Sequence, residues 1–205
     1  MDYTTRASKD VIEKTMAALT ERGITPALVE TKEEALEKIK TLIPEGASVM
    51  NGSSTTLQEI GFVDYLKEGK HGWNNLHANI LAEKDAAKQA ELCKQSVTSD
   101  YYLGSVHALA QTGEAVIASN TGSQLPHIVF TSKNIIFVVG AQKIVPTLSD
   151  ALKRLEEHVV PLEDKRMQAA YGYGTMLSKI LIFNKENKVM GRTVHLLLVN
   201  DVLGF

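Results

Sequence analysis

The stretch ASVMNGSSTTLQEIG, residues 47–61, decides how this chain is organised. Ala47 to Met50 form a short apolar run of strand size, a polar turn follows, and a helical stretch continues through Leu66. Upstream, Val11, Ile12, Thr15, Met16 and Leu19 make one apolar stripe at helical spacing, and Gly23 is placed to end that helix. Ile24 to Val29 reads as a strand. Lys32 to Ile43 has Ala35, Leu36, Ile39, Leu42 and Ile43 on one face, with Thr31 as its N-cap and Pro44 and Gly46 to stop it. The order α-β-α-β-α is the rhythm of parallel strands joined by crossover helices, so an α/β fold is expected.

Downstream, Lys67 to Asn79 reads as loop and Glu83 to Val97 as a largely polar helix. From Tyr101 the character changes: ALAQTGEAVIASNTGS has short apolar pairs broken by turn residues, as in consecutive short strands. Ile128 to Thr131 and Ile135 to Val139 are expected strands, and Thr147 to Glu157 an expected helix with Leu148, Ala151, Leu152 and Leu155 inward. Lys179 to Phe183 and Thr193 to Val199 flank the turn-rich NKENKVMG, giving either a hairpin or two edge elements of one sheet. Nothing resembles a repeat or linker, so residues 1–205 read as one domain with an N-terminal helical segment over about 1–23.

Composition excludes several classes. The 205 residues are 44% hydrophobic and 22% charged, those of an ordinary globular protein, and such a chain buries roughly 70% of its unfolded surface. The one cysteine, Cys93, excludes a disulfide framework and a self-contained thiolate cluster. A formal net charge of −2 supplies no pull toward nucleic acid or anionic lipid. The amphipathic, charged N-terminus lacks a secretory apolar core, and no apolar run approaches the roughly 20 residues of a membrane span. With one thiol, these features lead us to expect a cytoplasmic protein with neither membrane nor nucleic-acid partners.

Two stretches carry candidate chemistry. In the first, Asn51, Gly52, Ser53, Ser54, Thr55 and Thr56 lie where a strand turns into a helix. Gly52 permits close backbone approach, and hydroxyls sit beside unpaired helix amides, which suits a phosphate or carboxylate. It is neither a Walker loop nor a three-glycine dinucleotide fingerprint, and the same residues also suit a plain capped helix. The second, Ala108 to His127, has two Thr-Gly pairs nine residues apart, Thr112-Gly113 and Thr121-Gly122, so two polar turns are expected at the same end of paired strands. There Glu114 offers an acid or base, and Gln111, Asn120 and Gln124 could grip a polar ligand; simple hairpin turns are the alternative. His107 and His127 are candidates for proton transfer, Arg192 for an anion clamp, and Trp73, Tyr101 and Tyr102 for a pocket wall. His71 and His77 match no metal spacing, and no metal site or cofactor is expected.

These segments, taken with IIFVVGAQKIVPTLSDALKRL and the ending GRTVHLLLVNDVLGF, resemble in their order the LUD-domain family, the lactate-utilisation proteins related to the C subunit of the bacterial L-lactate oxidation system. The resemblance runs from about Arg6 to Phe205. It implies a fold similar to the sugar-phosphate isomerase and CoA-transferase superfamily, a three-layer α/β sandwich around a mainly parallel sheet. It also implies a non-redox accessory or regulatory subunit of a system oxidising L-lactate to pyruvate, beside partner subunits that carry iron–sulfur clusters, with homo-oligomers also open to it. Relatives often have Gly-Gly-Ser where Asn51-Gly52-Ser53 stands, an acid at Glu59, and a Glu where this chain has Gln111; Glu114 is the nearest acidic substitute. Glu59 and Glu114 are therefore the catalytic candidates. If Gly52 to Thr56 and Thr112 to Thr121 meet at the strand ends, they form a pocket for a small anionic ligand. The alternative implied by the fold is a stand-alone enzyme or binding protein for a sugar phosphate, nucleotide, folate or CoA ester.

Overall fold

A computed structural model describes residues 1–205. Its centre is a six-stranded sheet, parallel throughout, in the order β1-β10-β7-β4-β2-β3. The strands are β1 (Thr25–Val29), β2 (Ser48–Asn51), β3 (Asn74–Asn75), β4 (Tyr101–Gly104), β7 (Asn134–Gly140) and β10 (Thr193–Val199). A four-stranded sheet stands beside it in the order β8-β5-β6-β9, from β5 (Ala108–Ala110), β6 (Ala115–Ser119), β8 (Ile144–Val145) and β9 (Lys179–Phe183).

Helices cover the outer faces. The helices α2 (Lys32–Leu42), α3 (Thr55–Glu59) and α4 (Phe62–Glu68) bury Ile39, Leu57 and Phe62 against Val49, Ile136 and Leu197 of the parallel sheet. On its other face, α1 (Lys9–Glu21) and the small sheet enclose a second core, where Ile12, Leu109 and Ile117 meet Phe137, Val139 and Leu196. The small sheet is covered by α7 (Leu148–Arg154), which runs through one π-helical turn at 155–159 into α8 (Val160–Tyr171). The chain is thus an α/β layered fold in which the second sheet takes over part of one flank. The α5 helix (Leu76–Ala82) packs beside β2, and α6 (Ala86–Ser96) packs on α5.

Several local expectations hold for their stated reasons. Thr31 Oγ1 accepts from the Glu34 amide at the start of α2, and Gly23 follows α1 with φ +78°. Others change. Residues 128–131 form a π-helical turn rather than a strand, because the Arg192 guanidinium gathers the carbonyls of His127, Ile128, Val129 and Ser132 into one focus. The loop expected over 67–79 contains β3 and the start of α5. β9 and β10 are neither a hairpin nor edges of one sheet. Apolar and nearly all buried on both sides, β10 lies inside the parallel sheet, whereas β9, with Ile180 and Ile182 exposed, edges the small sheet.

Candidate functional site

Parallel strands deliver their following loops to one end of a sheet, and here three adjacent strands do so. The loop after β2 brings Gly52 to Thr56, the loop after β4 brings Ser105, and a 3-10 turn after β7 brings Lys143. They form the floor of a cavity of about 590 Å³, whose other walls are the end of β6 and the inner side of α8.

The side chain that organises the floor is Lys143, buried at 3% exposure. Its Nζ donates to Thr56 Oγ1 at 3.0 Å, Ser105 Oγ at 3.1 Å and the Val106 carbonyl at 3.2 Å. With the lysine donating, both hydroxyl oxygens act as acceptors, and each hydroxyl in turn donates to a backbone carbonyl. Thr56 donates to the Leu203 carbonyl at 3.5 Å and Ser105 to the Val106 carbonyl at 3.3 Å. Lys143 enters no ion pair. Burial, helped by the nearby Arg154, brings its pKa down to about 7, with Glu59 pulling weakly the other way.

Arg154 lies behind the wall, fully buried, and donates to the His107 carbonyl; its Nε and Nη2 have no hydrogen-bond partner. Two buried cations without a contacting carboxylate make this region electropositive. His107, on the cavity wall, is held neutral: burial, Lys143 and Arg154 lower its pKa to about 3, and its Nδ1 accepts from the Ala118 amide at 3.0 Å. It serves as a fixed acceptor rather than a proton shuttle. His127 is buried too, bonded to Ser99 and Ser132 and stacked on Tyr102, and burial takes its pKa to about 4.

The expected ligand residues divide. Gly52, Ser53, Ser54 and Thr55 line the cavity, as do Asn120 and Thr121. Ser54 caps α3 by accepting from the Leu57 amide, but α3 has only five residues, so the positive character of the floor comes from Lys143 rather than from a helix dipole. Asn51 is buried outside the lining, and Gly122 turns the chain against Lys179. Asn120 links the cavity rim: it bonds Thr175 and Ser178.

Thr112 and Gly113 are elsewhere. β5 and β6 are antiparallel, so Thr112-Gly113 forms their hairpin turn, while Thr121-Gly122 follows the opposite end of β6. The two Thr-Gly pairs therefore sit apart, not at one strand end, separated by the length of a strand. Gly113 lies against Arg22 and Ala18 of the α1 end, and Gln111 shares that turn. Glu114 faces Arg22 Nη2 at 2.5 Å and accepts from Thr112, which together hold its carboxyl below the usual range despite its burial. Glu59 accepts from the Gly204 amide at 2.8 Å and anchors the final residues. Neither candidate acid lines the cavity; the acid that does is Glu163, chelated by Arg166 at 2.7 Å.

The remaining candidates are structural. Arg192 closes the π-helical turn, Trp73 packs on Phe62 and His71 while donating to the Ile43 carbonyl, and of the three aromatics only Tyr102 reaches the cavity. No three His, Cys, Asp or Glu side chains gather as metal ligands, and no helix is long and apolar enough to cross a membrane. Lys143 is not among the residues that the sequence singled out. The signal was present: a lone lysine just after a buried strand, in VVGAQKIV, with apolar residues on both sides.

A parallel sheet flanked by helices, with a polar cavity at the carboxyl ends of its strands, defines an α/β layered protein. The chain belongs to the LUD domain family, whose model matches residues 12–199. That family is associated with lactate-utilisation proteins. A crystal structure of a DUF162 family protein from Deinococcus radiodurans, DUF162 being the LUD domain, is similar with a TM-score of 0.56 and 11% identity. The match covers 96% of this chain and 100% of that one, a likeness of fold. No curated protein matches the sequence.

Proposed function

We propose that this protein is a non-redox accessory or regulatory subunit of a system that oxidises L-lactate to pyruvate, and that its cavity binds an anion. The observation carrying the binding reading is Lys143: a buried ammonium without a carboxylate partner, presenting two hydroxyls at a cavity floor. An unpaired buried cation is costly, and an incoming carboxylate or phosphate supplies the missing charge. The hydroxyls of Ser53, Ser54 and Thr55, also in the lining, offer further donors.

The subunit reading rests on family membership and on electron bookkeeping. Lactate gives up two electrons and two protons on becoming pyruvate, and a chain with Cys93 alone cannot assemble a cluster of thiolate-bound iron to take them. Partner subunits bearing such clusters would accept the electrons. The test is to purify this chain alone and assay lactate oxidation with an artificial electron acceptor. No turnover is expected until cluster-bearing partners are added; robust turnover without them refutes the reading. Calorimetry with lactate, phosphate and sulfate tests the anion site directly.

A further inference from the structure

The cavity is far larger than a small hydroxy acid needs; about 590 Å³ is the size of sites that enclose drug-sized or cofactor-sized molecules. Its two ends also differ in chemistry. The floor is cationic and rich in hydroxyls around Lys143, whereas Tyr171, Tyr173 and Met176 line the wall formed by the end of α8 and the segment after it. Tyr171 and Tyr173 are stacked on each other with centroids 5.9 Å apart, yet are 59% and 60% exposed.

The segment that carries these rings is tied down. Gly172 ends α8 in the left-handed region at φ +76°, reversing the chain between the two tyrosines. Asp164 accepts from the Thr175 amide at 2.8 Å and from Gln168, and a Cβ on Gly174 would collide with that carboxylate. Asn120 ties Thr175 and Ser178 to the end of β6. Two large exposed rings on a tied-down segment at a cavity wall form a surface on which a planar ring can stack.

From this arrangement we propose that the cavity binds a nucleoside phosphate, its phosphate at the Lys143, Thr56 and Ser105 floor and its base against Tyr171 and Tyr173. This deepens the anion reading and depends on it, because the phosphate end uses the same floor. Gln58, also in the lining, offers an amide group for the edge of a base.

The experiment is calorimetric titration of the full chain with adenosine monophosphate, inorganic phosphate, adenosine and L-lactate. It is repeated on the Tyr171→Ala/Tyr173→Ala double variant, whose changes lie on the surface, and on Lys143→Met. The nucleotide is expected to bind at least about tenfold more tightly than phosphate. The double tyrosine variant should lose that advantage while keeping phosphate affinity, and Lys143→Met should weaken both. Phosphate or lactate binding with no gain for the nucleotide overturns this proposal and leaves the anion site standing. A nucleotide gain untouched by the tyrosine changes, or by Lys143→Met, overturns it too. No binding of any of the four overturns the proposal and the anion reading together.

Discussion

Lys143 Nζ donates to Thr56 Oγ1 at 3.0 Å across 87 residues of sequence, and to Ser105 Oγ at 3.1 Å between them. One amine thus fastens the loops that follow β7, β4 and β2, three neighbours in the parallel sheet. Lowering the pKa from 10.5 to about 7 corresponds to roughly 5 kcal/mol held against the charged form. A fold carries such a strain most readily where an anion relieves it.

Anion affinity should therefore fall as pH rises through about 7. Below that value Lys143 is an ammonium in the free protein; above it the amine is neutral, and binding must first recover a proton. Titration with sulfate, whose own charge is constant from pH 6 to 9, should show affinity dropping about tenfold per pH unit on the alkaline side. A flat profile would remove Lys143 from the site.

Thermal stability should move the opposite way. The folded-state pKa of Lys143 lies below its unfolded value, so between about 7 and 10.5 the unfolded chain binds more protons, and this group's contribution to stability rises with pH. Lys143→Met should raise the melting temperature near pH 6 relative to the parent, or leave it unchanged, and narrow the difference by pH 9. A large loss of stability at pH 6 would show that the three hydrogen bonds outweigh the buried charge.

Arg154→Met separates the two cations. The guanidinium leaves Nε and Nη2 without partners and pushes the Lys143 pKa down, so its removal should shift the pH midpoint of sulfate binding upward from about 7. Folding should be neutral to modestly improved, as when a buried ion is replaced by an apolar side chain of similar volume. The same titration at several pH values, with a denaturation curve, reads both.

At Gly52, a Cβ would come within 2.6 Å of Tyr102 Oη. Gly52→Ala should cost about 1–3 kcal/mol by forcing the buried ring aside. Tyr102→Phe removes the colliding oxygen, so the double variant should be more stable than the sum of the single losses, measured by a double-mutant cycle in urea.

Arg22→Ala should lower stability by about 2 kcal/mol, because its guanidinium holds the Thr112 carbonyl, Glu114 and Asn184 together at the far end of β6. Anion binding should be unaffected, as should be the case for Glu114→Gln. Loss of binding in either variant would return the hairpin turn to the functional site.

The periodic helices, the strand-to-helix turn at 51–56 and the parallel order were legible because each follows from local spacing: apolar faces at helical period, β-branched runs, a Thr cap and stop signals. The Ile128–Thr131 run misled because its strand-forming residues are overridden by Arg192, some sixty residues later in the chain. Thr112-Gly113 and Thr121-Gly122 look alike in sequence, but antiparallel pairing of β5 with β6 sends them to opposite ends of a strand. Glu59 and Glu114 were visible as acids, not as acids already engaged by Gly204 and Arg22.

What the sequence determined by itself was the class of fold and the supply of glycine and hydroxyl groups at one strand end, since both depend on neighbours within a turn or two. Only the tertiary structure decided which groups share a cavity. That Lys143 is buried, without an ion pair and lowered in pKa depends on what packs around it, and burial and Coulomb interactions act through space between residues that are distant along the chain.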